Sequence, residues 1–292
     1  MREPMRDAMP DALPTSTASP LGGQSTQHGP AASTQPNAAT DPRDRLIVAL
    51  DVPSTAAALA LAAQLRSICR WVKVGLELYL AEGNSIVAEL NRQGFAVFLD
   101  LKLHDIPNTV AGAVRSASSA GASLLTVHAA GGPAMLQAAA DAAAGIVHPP
   151  RLLAVTVLTS MDASQLHAVG VECTPAEQVL RLARIADSNG VRGLVCSAQE
   201  VGMLRRELGA AAWLVTPGIR PAGGNADDQK RVATPTSAIA AGATALVVGR
   251  PITQAADPAA AAAAILEEIS RAGFTEKTES IRRGGSRNRE VK

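Results

Sequence analysis

Between about residues 44 and 273, short apolar runs alternate with longer Ala-rich stretches. The runs cover 45–51 (RLIVALD), 71–78 (WVKVGLEL), 96–103 (AVFLDLKL), 124–130 (LLTVHAA), 152–160 (LLAVTVLTS), 193–198 (GLVCSA), 212–219 (AWLVTPGI) and 245–250 (ALVVGR). They are Val/Leu-rich and nearly continuous, as parallel strands buried on both faces must be. The stretches between them read as helices. Ser54 can cap the first of these, through about 67, and Asp257-Pro258 opens the last, through about Ile269. Gly94, Gly121 and Gly190 stand where helices should stop. Eight such units predict a (β/α)8 TIM barrel. A doubly wound open sheet is the alternative. Polar residues end almost every run, whereas an open sheet would gather them at one switch point, so the barrel is preferred.

The pattern also sets the domain limits. Residues 1–43 are rich in Ser, Thr, Pro, Ala, Gly and Gln, with almost no large apolar residues, and are expected to be a disordered extension or the product of an early start codon. They contain no apolar core of a secretory signal. Residues 44–273 form the barrel. Residues 274–292 are basic and Gly-rich, and read as a flexible tail rather than a nucleic-acid arm.

Composition narrows the class. Hydrophobic residues make up 47% and aromatics only 2%, so the core must be Ala, Val, Leu and Ile. Lys+Arg 27 against Asp+Glu 26 leaves no bulk charge to attract nucleic acid or an anionic membrane. No apolar run reaches the ~18 residues of a membrane span. Cys69, Cys173 and Cys196 form no CxxC pair, which suits reduced thiols in a cytoplasmic protein.

The densest chemistry lies on the third run and just after it, A-V-F-L-D-L-K-L-H-D-I-P-N-T. Alternation puts Asp100 and Lys102 on one strand face and Leu99, Leu101 and Leu103 on the other. Asp105 follows the strand end, and Pro107 suits the first turn of a helix. Buried charges are costly unless paired, so this cluster points to function. Elsewhere, Asp51 ends the first run. Lys73 faces the barrel interior if Val72 and Val74 face the helices. Thr159 and Ser160 end the fifth run with hydroxyls suited to a polar ring. Arg220 precedes a loop of Gly, Asn and Asp that suits a lid and contains Gln229. Gly249 and Arg250 end the eighth run, where barrels often hold phosphate. His104 and His128 have no partner at metal-ligand spacing and read either as packed residues or as residues that support the site from behind.

Together these residues resemble the orotidine 5′-phosphate decarboxylase family from about Asp44 to Ser270. The D-L-K-L-H-D-I-P-N-T run is the most specific match. It is supported by A-L-D at Asp51, K-V-G at Lys73, H-A-A-G-G at His128, L-T-S at Thr159, T-P-G-I-R at Arg220, D-Q at Gln229 and V-V-G-R at Arg250. The resemblance implies a homodimeric barrel without metal or cofactor that decarboxylates orotidine 5′-phosphate to UMP. It implies Lys102 as proton donor within a network of Lys73, Asp100, Lys102 and Asp105. Asp105 and Thr109 would come from the partner subunit. Asp51 and Lys73 would hold ribose hydroxyls, and Thr159 and Ser160 would lie at the pyrimidine. Gln229, Gly249 and Arg250 would hold phosphate, with Arg220 beside the closing loop. Loss of CO2 from C6 leaves a carbanion with no conjugated sink, and a preorganised ammonium answers that need.

Two other readings compete. A Mg2+-dependent sugar-phosphate decarboxylase or synthase on the same barrel shares D-x-K-x-x-D, but Ile-Pro-Asn-Thr after Asp105 follows the orotidylate pattern. A non-catalytic nucleotide-binding barrel would have lost some polar residues, and all are present.

Overall fold

The computed structural model describes residues 41–221 and 233–286. Eight parallel strands, β1 (Leu46–Ala49), β2 (Trp71–Val74), β3 (Ala96–Leu103), β4 (Ala122–His128), β5 (Arg151–Val155), β6 (Gly193–Val195), β7 (Trp213–Thr216) and β8 (Ala245–Val248), close into a barrel. β1 pairs with β8 as well as with β2, which rules out the open sheet. The local signals act as expected. Ser54 caps the helix Thr55–Leu65 by accepting from the Ala57 N–H at 3.3 Å. Asp257 accepts from the Ala260 N–H at 2.9 Å at the start of the last helix. Gly94, Gly121 and Gly190 all have positive φ.

Strand alternation builds two separate cores. Leu46, Val48, Val72, Val74, Val97 and Leu99 point outward and pack with the helices. Ile47, Trp71, Phe98, Leu124, Leu153 and Trp213 belong to a second cluster that fills the barrel itself. Aliphatic residues dominate the outer core. The two tryptophans stand at the first residues of β2 and β7, with ring centroids 6.4 Å apart. The Arg151 guanidinium, at the start of β5, lies 4.8 Å over the Trp213 ring. Bulk at the N-terminal end thus plugs the barrel and leaves its C-terminal end to polar groups.

Several boundaries differ from the sequence reading. The run 71–78 is not one strand: β2 stops at Val74, Gly75 breaks it, and Leu76–Glu82 is a helix. β5 stops at Val155, so Thr159 and Ser160 lie in the following loop, beyond the strand end. The last helix runs from Pro258 to Ser286, well past Ile269. The residues after Phe274 include Glu, Lys and Arg, good helix formers, and no proline. At the other end, Asp41 caps the turn Pro42–Asp44, and Arg70 pairs with Asp41 at 3.5 Å and Asp44 at 2.5 Å. Residues 1–40 of the expected extension and 287–292 of the expected tail lie outside the described residues. Among the described residues, no helix is long and apolar enough to cross a membrane.

Candidate active site

Charge of alternating sign crosses the barrel mouth from β1 to β3. The Lys73 ammonium donates to Asp51 Oδ1 at 2.8 Å and lies 3.5 Å from Asp100 Oδ2. The Lys102 ammonium donates to Asp100 Oδ1 at 2.9 Å. Lys73 does face the interior, as alternation required, because Val72 and Val74 face the helices. Ser54 takes the capping role, which leaves Asp51 to the lysine. Exposure is graded: the side chain of Lys73 is 11% exposed, Asp100 14%, Lys102 34% and Asp51 59%. The array is anchored in the barrel and opens toward solvent at its two ends.

Asp100 is the electrostatic pivot. Burial pushes its carboxyl upward. The charges of Lys73 and Lys102, with hydrogen bonds from Lys102 and Thr126, outweigh burial and hold it below the usual carboxylate range. Asp100 therefore stays ionised at neutral pH between two ammonium groups.

Lys102 departs from the regular strand that the sequence suggested. Its φ is +51°, and it is the one non-glycine residue with positive φ among those described. The β3–β4 ladder passes from Leu99 opposite Leu125 directly to Leu103 opposite Val127. Three residues of β3 thus bulge against Thr126 alone. Bulges next to active sites re-aim side chains, and this one carries the candidate proton donor.

Asp105 does not join the array within one chain. It is exposed, and its Oδ1 accepts from the Ile106 N–H at 2.6 Å. Among the described residues it makes no ion pair. Thr109 is exposed on the first turn of the helix Pro107–Ser119. Asp105 and Thr109 line one cleft of ≈ 330 Å³ with Lys102, Leu103 and Val110. Exposed Ile106 lies between them in the chain.

At the far side, Gly249 follows β8. A Cβ built there would lie 3.9 Å from Asp51 Oδ2, so the β8 end adjoins the Asp51–Lys73 pair. Arg250 begins a short helix, Arg250–Thr253. Arg220 is buried. Its backbone N–H donates to Ala233 O at 2.9 Å, closing the base of the loop after β7. Thr159 is half-buried and Ser160 exposed, both in a turn. Gln229 and the rest of the expected lid, 222–229, lie outside the described residues.

Of the two histidines expected to be packed or to support the site, His128 is half-buried but His104 is exposed, stacked on His128 at the rim. His104 and His128 stack with centroids 5.2 Å apart and planes 20° from parallel. Burial, then the charges of His104 and Lys102, hold His128 below the ordinary histidine value. That favours the neutral ring.

The family model described as orotidine 5′-phosphate decarboxylase / HUMPS matches residues 44–265, which span all eight strands. The chain belongs to that family. It is 54% identical over 230 residues to the orotidine 5′-phosphate decarboxylase of Halorhodospira halophila, covering 78% of this chain and 97% of that one. Identity to the Chromobacterium violaceum enzyme of the same name is 53% over 226 residues, covering 77% and 91%. The crystal structure of the orotidine 5′-phosphate decarboxylase from Lactobacillus acidophilus aligns with a TM-score of 0.70 at 41% identity, covering 77% of this chain and 99% of that one.

Two residues that touch the charged array were not singled out from sequence. Gly75 of the K-V-G motif is one. A Cβ there would sit 3.0 Å from both Asp51 Oδ1 and Lys73 Nζ, so a side chain at this position would require the ends of the ion pair to shift by a few tenths of an ångström. The motif itself was visible, but this close approach was not. Thr126 is the other. It is fully buried in an apolar run, where a threonine gives little signal because it is also a common strand residue.

Proposed function

We infer that this chain decarboxylates orotidine 5′-phosphate to UMP and CO2, with Lys102 as the proton donor to C6. The observation that carries the reading is the Lys73–Asp100–Lys102 array at the mouth of a barrel of this family. The C6–carboxylate bond breaks, CO2 leaves, and the electron pair stays on C6. The Lys102 ammonium lies ready to stabilise that pair electrostatically, then delivers a proton to C6 and regains one from solvent. Asp100, buried and ionised, opposes the substrate carboxylate more than the transition state, in which that charge is leaving. Asp51 and Lys73 hold the ribose hydroxyls, while Thr159 and Ser160 serve the pyrimidine. Gln229, Gly249 and Arg250 take the phosphate, with Arg220 beside the closing loop. Phosphate binding remote from C6 contributes to catalysis by driving closure.

The active form in this reading is a homodimer, with Asp105 and Thr109 entering the partner's site. The turned-away Asp105 carboxylate and the exposed Ile106 beside it support that arrangement. The barrel limits 44–273 and a cytoplasmic location complete the proposal; three free cysteines fit a reducing compartment.

The direct test is loss of orotidylate absorbance on mixing with purified protein, repeated in EDTA. Decay at the same rate in both is expected. No decay overturns the activity, and decay abolished by EDTA and restored by Mg2+ overturns its metal-free form.

Arg250→Ala tests the phosphate assignment. KM for orotidine 5′-phosphate is expected to rise about 10- to 100-fold, the worth of a charged hydrogen bond. Orotidine without its phosphate has no such partner to lose, so its turnover should change far less. Equal losses on both substrates would remove Arg250 from the phosphate site.

A further inference from the structure

The Lys102 backbone N–H cannot use the strand ladder, because residues 100–102 bulge out of it. It donates instead to Thr126 Oγ1 at 2.8 Å. The same hydroxyl donates to Asp100 Oδ1 at 3.1 Å, the oxygen that also accepts from the Lys102 ammonium at 2.9 Å. A closed ring results: Lys102 backbone, Thr126 hydroxyl, Asp100 carboxylate and Lys102 side chain. Thr126 is 0% exposed, so no solvent substitutes for it.

We propose that Thr126 is a positioning residue for decarboxylation: its hydroxyl clamps the left-handed backbone of Lys102 and the carboxylate of Asp100 in one geometry. The inference rests on Lys102 being the proton donor. A non-glycine residue at φ +51° stores strain and persists only where its surroundings over-determine it. Here the over-determining contact comes from the neighbouring strand. The position needs one group that accepts from an N–H and donates to a carboxylate at the same time. A hydroxyl does both. Valine has the shape of threonine and does neither.

The test is Thr126→Val beside Thr126→Ser, with kcat, KM and UMP binding measured on each. Thr126→Val is expected to lower kcat about 10- to 100-fold, as small misplacements of reacting groups do. KM and UMP affinity should stay within about threefold, since Thr126 lies beneath the array and is not assigned to nucleotide binding. Thr126→Ser should recover most of the lost kcat. Normal kcat in Thr126→Val overturns the proposal. So does a loss that tracks a smaller fraction of protein able to bind UMP, or an equal loss in Thr126→Ser. Lys102→Ala separates the two levels. If that change spares turnover, the proton-donor reading itself fails. If it abolishes turnover while Thr126→Val is normal, only the positioning role fails.

Discussion

Lys102→Ala is expected to lower kcat by at least ~10²-fold while UMP still binds, because a preorganised charge aimed at a developing carbanion typically contributes that much. Two functions leave with the ammonium, the electrostatic stabilisation of C6 and the proton delivered to it. The fold should survive. Asp100 keeps Lys73 at 3.5 Å and the Thr126 hydroxyl at 3.1 Å, so its carboxylate is not left buried without a partner. Alanine at φ +51° carries a strain similar to that of lysine there. Steady-state kinetics, a melting curve and UMP titration together decide the matter. A variant that keeps a tenth of the wild-type kcat removes Lys102 from the central role.

Mixing two inactive variants should bring activity back. Asp105→Ala and Lys102→Ala homodimers are each expected to be nearly inactive. If Asp105 acts in the partner's site, a mixed dimer has one site with both lesions and one with neither. Random reassociation makes half of the dimers mixed, so roughly a quarter of wild-type activity should return. The geometry of a single chain motivates the experiment. Asp105 turns its Oδ1 back to the Ile106 N–H and stays out of the Lys73–Asp100–Lys102 array. Native mass spectrometry of differently tagged chains would verify that mixed dimers form. Mixed dimers without activity would place Asp105 in the site of its own barrel.

Much of this architecture was legible along the chain. Eight apolar runs became eight parallel strands, and the interior placement of Lys73 and Asp100 followed from their spacing to Val72, Val74 and Leu99. Errors fell where an apolar run crosses an element boundary. Leu76 and Leu78 continue the pattern of β2 yet belong to the next helix, with only Gly75 between. Val157 and Leu158 likewise carry the β5 pattern past its end, so Thr159 and Ser160 looked like strand-end residues.

What the sequence determined by itself is what depends on neighbours a few residues apart. Strand faces, caps such as Ser54, and the polar identity of each strand end are of this kind, since alternation and capping are local properties of the backbone. Tertiary structure decided what depends on contact between strands. Asp51 meets Lys73 because β1 and β2 pair in one register, with Ala49 opposite Lys73. Lys102 takes its left-handed backbone because three residues of β3 face Thr126 alone on β4. A register is a relation between two segments and is set only when the ladder closes. That is why the lysine was visible in the sequence and the threonine that holds it was not.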